Sequence, residues 1–243
     1  VRRECLTTRS KAGIMDASTL GKIEVVGPDA AEFLNRLYVN SFTKLGVGRC
    51  RYGLMLNEQG FIYDDGVAMR LADDRFHITT TTGGAAHVFA TMEDYLQTEW
   101  PDLKVRFTSI TEQWATIAIN GPLAREILAP LVEGIDLSSA AFPHLSVREG
   151  RICGVPTRLA RVSFTGELGY EIWVRPEYQR ALHALLLEAG EPLGLTQFGM
   201  RALLCLRLEK SFGTWFREYR PIYGAYEAGL GRFVDLKRGG FVG

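Results

Sequence analysis

The chain has 243 residues, enough for one large domain or two intimately associated ones. Hydrophobic residues make up 47% and charged residues 23%, ordinary globular values that exclude a disordered or fibrous chain. The 28 Lys and Arg residues balance the 28 Asp and Glu residues, so nothing marks a nucleic-acid-binding surface. No apolar run approaches the roughly 18 residues of a membrane span, and the first residues lack the apolar core of a signal peptide.

Neither the cysteines nor the histidines have the spacing of metal ligands, so we predict no metal site. The cysteines lie far apart and are expected to be free, buried thiols in a reducing compartment. The protein is therefore expected to be intracellular, either cytoplasmic or in the mitochondrial matrix of a eukaryote. The valine at position 1 and the abrupt end after a strand-like piece are consistent with part of a larger protein. The cysteines are Cys5, Cys50, Cys153 and Cys205, and the histidines are His77, His87, His144 and His183.

A strand followed by a helix occurs twice, 94 positions apart. Residues 22–26 predict a strand, and residues 27–37 begin with Gly27-Pro28 and continue with apolar positions three and four apart. The same design returns with the strand 116–120 and a helix that begins with Gly121-Pro122. The chain is therefore predicted to be internally duplicated at the level of structure.

Two further strand-to-helix units and a hairpin define the fold class. Residues 75–80 lead into a helix over 85–96, and residues 170–174 lead into a helix over 179–187. Residues 52–71 form two strands around an Asn-Glu-Gln-Gly turn. This order predicts an α+β fold of duplicated split βαβ units, with antiparallel sheets covered by helices. A doubly wound parallel sheet is the weaker alternative, because no glycine-rich dinucleotide or phosphate-binding motif follows a strand.

The segment 161–174 combines a predicted strand over 161–164, a glycine-containing turn and a second strand that alternates between two faces. Tyr170 shares one face with Ile172, and Glu171 shares the other with Trp173. A carboxylate beside an indole is typical of a binding site. The local pattern by itself favours the alternative of a solvated glutamate on an outer strand face.

Two carboxylates, Asp64 and Asp65, follow the apolar strand residues 61–63. Strand alternation places one side chain inward and the other outward. An inward aspartate could act as a general acid or base, while for Asp64 a solvated acidic turn is the preferred interpretation. No Ser-His-Asp or Cys-His arrangement suggests covalent catalysis.

The last third of the sequence predicts a helix over 198–210, followed by a loop over 211–221 that is rich in aromatic and arginine residues. We interpret this segment as an ordered loop near a pocket. The alternative, aromatic side chains that only cover the core, is equally compatible with the sequence.

Taken together, these motifs resemble the folate-binding aminomethyltransferase family, whose namesake is the T-protein of the glycine cleavage system. Other segments are similar to the folate-binding portion of sarcosine oxidase α subunits and of dimethylglycine or sarcosine dehydrogenases. The family motifs are Gly27-Pro28, residues 56–65, Gly121-Pro122, residues 164–171, residues 206–210 and residues 227–230. The segments typical of the amine-oxidising branch are residues 14–23, 79–84, 111–115 and 209–215.

The resemblance implies the aminomethyltransferase folate-binding fold, with a first lobe of residues 1–48 plus 145–243 and a second lobe of residues 49–144. It implies that a flavin domain and a C-terminal β-barrel domain lie outside this sequence. It implies that Glu171 holds the pterin, because a carboxylate can accept two adjacent N–H donors, and that Asp65 is the catalytic acid or base. The further folate contacts that it implies are Phe164, Thr81, Tyr170, Asp64 and Trp215.

Three departures favour the amine-oxidising branch over the glycine-cleavage enzymes. The latter usually have tyrosine in place of Phe164, asparagine near Thr81 and arginine in place of Leu203. The implied cofactor is tetrahydrofolate, with FAD only on a partner flavin oxidoreductase domain or subunit. The implied reaction captures a methylene iminium from an oxidised N-methyl amine and gives 5,10-methylenetetrahydrofolate. The alternatives are a glycine-cleavage aminomethyltransferase and a folate-binding module without catalysis; neither a nucleic acid nor a membrane is an expected partner.

Overall fold

A computed structural model describes residues 1–243, which form two compact units. Unit 1 comprises residues 1–18 and 112–212, and unit 2 comprises residues 19–111 and 213–243. The predicted lobe boundaries at 48/49 and 144/145 differ from these. The difference arises because strand pairing, and not proximity in sequence, defines a unit: residues 13–16 pair with residues 117–120, and residues 21–26 pair with residues 75–80.

The chain contains twelve strands and six α-helices, here numbered in sequence order. The strands are β1 Gly13–Asp16, β2 Gly21–Val26, β3 Cys50–Leu56, β4 Ile62–Ala72, β5 Arg75–Thr80, β6 Arg106–Ser109, β7 Ala115–Asn120, β8 Val132–Glu133, β9 Val147–Ile152, β10 Val155–Ala160, β11 Gly169–Val174 and β12 Thr196–Gln197. The helices are α1 Arg2–Ser10, α2 Ala30–Leu37, α3 Ala85–Thr98, α4 Ala124–Leu128, α5 Pro176–Gly190 and α6 Met200–Leu208. No helix combines the length and apolar character that crossing a bilayer requires.

Each unit has its own sheet and its own core. In unit 1 the strand order is β12-β1-β7-β11-β10-β9-β8, with only β1 and β12 parallel. In unit 2 the order is β3-β4-β5-β2-β6, and every neighbouring pair is antiparallel. Helices bury apolar residues against one face of each sheet. The predicted α+β class with antiparallel sheets is confirmed.

The two Gly-Pro segments form matching corners between a strand and a helix, as the sequence predicts. Gly27 has φ +141° and Gly121 has φ +131°, values that strongly favour glycine. A side chain at Gly27 would overlap the carbonyl oxygen of Lys104, and one at Gly121 would overlap that of Lys11. In both corners the glycine oxygen accepts a hydrogen bond from the first helical residue, at 3.0 Å from Ala30 N and 3.1 Å from the equivalent nitrogen in unit 1.

The predicted turn between β3 and β4 is confirmed. Gly60 has φ +80°, and Asn57 Oδ1 accepts hydrogen bonds from the backbone nitrogens of Gln59 and Phe61 at 3.1 and 2.9 Å. The predicted strand over residues 161–164 is wrong, since the incoming strand β10 ends at Ala160. Side-chain bonds compete with strand pairing there: Ser163 Oγ lies 2.9 Å from an oxygen of Asn120.

The cysteines are free, but only Cys50 is buried. Cys153 and Cys205 are exposed and Cys5 is partly exposed, so the expectation of four buried thiols is wrong. The reason is local. Cys153 lies in the tight turn between β9 and β10 with φ +49°, and Cys205 lies on the outer side of α6.

Candidate active site

The β3–β4 hairpin places two adjacent carboxyl groups in unit 2. Asp64 lies opposite Met55 and Asp65 lies opposite Leu54 in the antiparallel register. Because successive strand residues point to opposite faces, the two side chains meet different surroundings. Neither carboxyl group forms an ion pair. The hairpin therefore holds two acidic groups without a compensating cation, an arrangement typical of functional sites.

Asp64 is buried, with only 2% of its surface exposed. Its oxygens accept a hydrogen bond of 2.6 Å from Thr81 Oγ1 and one of 3.2 Å from Thr81 N. Gly84 leaves room for this contact, since a side chain there would approach both Asp64 and Thr81 closely. Burial raises the pKa of Asp64 to about 6, against the opposing effect of the Thr81 hydrogen bonds. The preferred interpretation of Asp64 as part of a solvated turn is therefore wrong, because the end of β5 covers it.

Asp65 receives a hydrogen bond from a tyrosine on the neighbouring strand. The Tyr52 hydroxyl donates to Asp65 Oδ2 at 2.9 Å. Burial and the neighbouring negative charge of Asp64 raise the pKa of Asp65 to about 7, while the bond from Tyr52 opposes that rise. A carboxyl group with a pKa near neutrality can both accept and release a proton under physiological conditions.

Two further tyrosines lie within electrostatic range of the carboxyl pair. Burial, followed by the charges of Asp64 and Asp65, raises the pKa of Tyr38. Burial also raises the pKa of Tyr219, with a smaller contribution from Asp65. Tyr219 belongs to the segment after residue 212, and its hydroxyl accepts a hydrogen bond from Gly213 N at 3.2 Å. Phenol groups with raised pKa values stay neutral, so these tyrosines add no charge near the pair.

Tyr52, Tyr38 and Tyr219 are not among the residues that the sequence predicts for the site. A signal for Tyr52 was available, because the Asn-Glu-Gln-Gly turn fixes the hairpin register. In that register Tyr52 lies opposite Val67 and is therefore a diagonal neighbour of Asp65, within reach of a long side chain. No comparable local signal exists for Tyr219, which is far away in sequence.

In unit 1, Glu171 lies on the sheet face opposite the core. Its neighbours in register are Ala118 on β7 and Ala160 on β10. These small side chains leave space around the half-buried carboxylate. Trp173, two residues along the same face, is fully buried. The predicted sharing of a strand face by Glu171 and Trp173 is confirmed.

An exposed aromatic ring precedes this strand. Phe164 has 38% of its surface exposed and lies parallel to the ring of Phe212, with 6.3 Å between centroids and 8° between planes. The turn that carries Phe164 is held at Thr165, whose carbonyl oxygen accepts a hydrogen bond of 2.6 Å from Arg9. The parallel rings offer a stacking surface for a flat ligand.

Tyr170 and Trp215 differ from the other predicted folate contacts. Tyr170 is fully buried in the unit 1 core, and its hydroxyl accepts a hydrogen bond of 3.1 Å from Arg125 Nε. It therefore packs the core and presents no surface to a ligand, because strand alternation turns it away from Glu171. Trp215 is half-buried in unit 2 and forms an isolated β-bridge with Tyr219. The loop that contains Trp215 thus contributes both to the small core beside β3 and β4 and to the surroundings of Asp65.

Comparison with known proteins defines the class of this molecule. The family model described as the GCVT N-terminal domain matches residues 1–238. The chain therefore belongs to the GCVT N-terminal domain family.

The chain is also similar to individual proteins and to a solved structure. The chain is 48% identical over 245 residues to a sarcosine oxidase subunit alpha from Rhizobium meliloti (strain 1021), with 100% of this chain and 25% of that protein covered. It is 35% identical over 248 residues to an aminomethyltransferase from Symbiobacterium thermophilum, with 98% of this chain and 64% of that protein covered. The crystal structure of the glycine cleavage system aminomethyltransferase T from Bartonella henselae has a TM-score of 0.86 at 28% identity, with 99% of this chain and 63% of that chain covered. This chain thus spans about a quarter of the sarcosine oxidase relative's length.

Proposed function

We propose that this chain is a tetrahydrofolate-dependent one-carbon transfer domain in which Asp65 is the acid–base group. The observation that carries the proposal is the Asp65 carboxyl group, held by Tyr52 and given a pKa of about 7 by burial and by Asp64. Such a group suits a reaction in which a proton leaves one amine and another amine departs. Membership of the family supports tetrahydrofolate as the acceptor.

The residues of unit 1 fit a pterin ring. A pterin presents a ring N–H beside an exocyclic amino group, and the Glu171 carboxylate can accept both as a charge-assisted fork. The flanking residues Ala118 and Ala160 leave room for a flat ring over the strand. Phe164 and Phe212 supply parallel aromatic faces. These features support folate binding through Glu171 and Phe164.

Tetrahydrofolate, when bound, supplies the nucleophilic nitrogens that take up the one-carbon unit as 5,10-methylenetetrahydrofolate. The protein has to orient this amine, exclude water and move protons. Asp65 would take the proton from a folate nitrogen onto its carboxylate and return it to the departing amine nitrogen. Asp64 and Thr81 keep one side of the hairpin rigid through the hydrogen bonds described above.

The amine donor belongs to the sarcosine or dimethylglycine type in this proposal. The chain is 48% identical to a sarcosine oxidase subunit alpha and 35% identical to an aminomethyltransferase. The match to about a quarter of the oxidase relative supports a flavin oxidoreductase domain or subunit as partner, which would produce the methylene iminium. FAD would then bind to that partner.

The first test replaces Asp65 with Asn, which keeps the shape and removes the acid–base function. We expect single-turnover formation of methylenetetrahydrofolate, from an iminium made with formaldehyde and a secondary amine, to slow by about 100-fold or more. Folate affinity, measured by calorimetry, should change little. The matched control is Asp73→Asn, since the Asp73 side chain is 96% exposed in the same unit. A normal rate for Asp65→Asn would remove Asp65 from the reaction.

The second test replaces Glu171 with Gln, which changes an acceptor oxygen into a donor. Folate binding should weaken by about 2 kcal/mol, roughly 30-fold, because a charge-assisted contact is lost. Glu188→Gln on the outer face of α5 serves as the control. Unchanged affinity in calorimetry would place the pterin elsewhere. Binding by the wild-type chain without any transfer would favour a folate-binding module.

A further inference from the structure

We propose that Tyr52 is a positioning residue that holds Asp65 through Oδ2 and leaves Oδ1 as the oxygen that exchanges the proton. This inference rests on the proposed function of Asp65. Its geometric basis is the 2.9 Å hydrogen bond between the Tyr52 hydroxyl and Asp65 Oδ2. It assigns distinct roles to the two oxygens of one carboxyl group.

The backbone and the ring of Tyr52 are both held in place, and together they fix the position of its hydroxyl group. Its backbone lies in β3, directly opposite Val67 of β4, so the ring and Asp65 belong to one hairpin. The ring packs on Phe233, with 4.8 Å between centroids and 53° between planes. A donor that packing holds in place loses little entropy when it bonds to the carboxylate, so it can orient Asp65.

Tyr52 remains a hydrogen-bond donor over the whole working pH range. Burial, followed by the negative charge of Asp65 and smaller effects from Tyr219 and Asp64, strongly raises the pKa of Tyr52. The hydroxyl is therefore neutral whether Asp65 is ionised or protonated. It favours the ionised form of Asp65, because the negative oxygen is the better acceptor.

The groups that face Asp65 act in opposite directions. Asp64, on the same strand, disfavours ionisation of Asp65, and Tyr52 favours it. Tyr38 interacts electrostatically with both carboxyl groups and Tyr219 with Asp65, and Arg232 and Glu218 act on Tyr219. Among these groups only Tyr52 is within hydrogen-bond distance of Asp65. Tyr52 and Asp64 thus oppose each other in setting the pH at which Asp65 becomes an active base.

The test compares Tyr52→Phe with Asp64→Asn. In Tyr52→Phe the ionised carboxylate loses its donor, so the acidic limb of the pH–rate profile should move up by about one pH unit. In Asp64→Asn the opposing charge is lost, so the limb should move down by a similar amount. For Tyr52→Phe, kcat at pH 7 should fall about fivefold as the ionised fraction of Asp65 falls, KM for tetrahydrofolate should stay unchanged, and the rate should recover at pH 9.

Tyr95→Phe is the matched control, since the Tyr95 hydroxyl also donates to a carboxylate, Glu58 Oε1 at 3.2 Å, on the surface of the same unit. It should leave both the rate and the pH profile unchanged. A merely structural Tyr52 would lower thermal stability without moving the acidic limb. Shifts of the same sign in Tyr52→Phe and Asp64→Asn would likewise overturn the assignment.

A measurement without folate separates this inference from the proposed function. Carbon-13 NMR of aspartate carboxyl groups, with the Asp65 signal assigned through Asp65→Asn, follows the titration of Asp65 in the chain alone. Tyr52→Phe should move that titration to higher pH, and an unmoved titration overturns the inference whatever the enzyme activity. The proposed function fails separately, when the wild-type chain makes no product or Asp65→Asn keeps the full rate.

Discussion

The two units share a backbone plan and treat buried charge differently. In unit 1, Arg158 is 2% exposed, but its guanidinium pairs with Glu149 at 2.8 Å and lies 4.5 Å from the ring centroid of Trp114. In unit 2, Asp64 is equally buried and has hydrogen bonds but no cation. A counter-charge offsets part of the cost of burying a charge, whereas acidic groups that are buried without a counter-charge have shifted pKa values and suit proton transfer.

The strand registers show where the units diverged. Ile78 lies beside Ala68 in unit 2, and Ile172, 94 positions later, lies beside Leu159 in unit 1. By this register Asp64 and Asp65 correspond to residues 155 and 156, a valine and a proline, so unit 1 lacks the carboxyl pair. The two units therefore have their acidic candidate residues in different places. Unit 2 has Asp64 and Asp65 on the β3–β4 hairpin, and unit 1 has Glu171 on β11, after the glycine-containing turn.

The units also differ at the position of Glu171. The equivalent residue in unit 2 is His77, which is fully buried and lies between Glu24 and Met69 in register. Glu171 instead lies between two alanines. The size of the neighbouring side chains decides whether this strand position is covered or available to a ligand.

The largest expected effects concern the feature that both units share. Gly27→Ala and Gly121→Ala should each lower the free energy of unfolding by about 4 kcal/mol, because each adds a side chain that overlaps a carbonyl oxygen at positive φ. Urea denaturation measures the effect. Gly134→Ala is the control, with φ +77° and no atom within 4 Å of the added carbon, and should cost about 1 kcal/mol. A loss of stability in only one of the two variants would contradict the structural equivalence of the two Gly-Pro corners.

The acidic pair of unit 2 should make the free energy of unfolding depend on pH. The pKa values of Asp64 and Asp65 are raised from 3.8 to about 6 and about 7, so ionisation opposes folding. This penalty is absent below about pH 4, grows as the pH rises and is complete above about pH 7. The double variant Asp64→Asn, Asp65→Asn should therefore gain stability relative to wild type as the pH rises from 5 to 8, by several kcal/mol.

Asp16 in unit 1 has a pKa shift of the opposite sign, so its effect on stability should depend on pH in the opposite way. Burial raises its pKa, but hydrogen bonds from Ser18 and Gln179 outweigh that effect and leave the pKa lowered. Asp16→Asn should therefore lose stability at pH 8 and at pH 5, and the loss should shrink only as the pH falls below about 4, the ordinary pKa of an aspartate. Urea denaturation of both variants at pH 3, pH 5 and pH 8 checks the two signs. Parallel pH dependence in both variants would contradict the contrast between the units.

The smallest expected effect concerns the turn that carries Phe164 in unit 1. The Arg9 guanidinium donates to the carbonyl oxygens of Thr165 and Leu206 and to the carboxylates of Glu167 and Glu209, at 2.6 to 3.0 Å. Lysine keeps the positive charge but lacks the planar guanidinium group whose several N–H donors make these hydrogen bonds. Arg9→Lys should therefore lower the free energy of unfolding by about 1 kcal/mol.

Arg36→Lys provides the comparison in unit 2, because the Arg36 guanidinium forms a surface pair with Glu32 one turn away on α2 and otherwise lies over the ring of Trp100, 5.7 Å from its centroid. It should change stability by less than about 0.5 kcal/mol. Thermal denaturation at matched pH and ionic strength distinguishes the two variants. Equal effects would mean that the Arg9 contacts add nothing beyond an ordinary surface ion pair.

The sequence by itself determined the local elements. Gly-Pro after a β-branched run specified both corners, since the required φ is open to glycine alone. The Asn-Glu-Gln-Gly turn specified the hairpin, and strand alternation assigned the faces of Glu171 and Trp173. The adjacent acidic residues Asp64 and Asp65 were visible for the same reason. Each of these features depends on a few neighbouring residues and on backbone geometry.

Only the tertiary structure decided which distant segments meet. The unit boundaries depend on pairing across about 100 residues between β1 and β7, which no local pattern specifies. The burial of Asp64 depends on Thr81 at the end of β5, and the raised pKa of Asp65 depends on what surrounds it. Desolvation is a property of the packed molecule, so the sequence could name these carboxyl groups, whereas their protonation was decided by long-range packing.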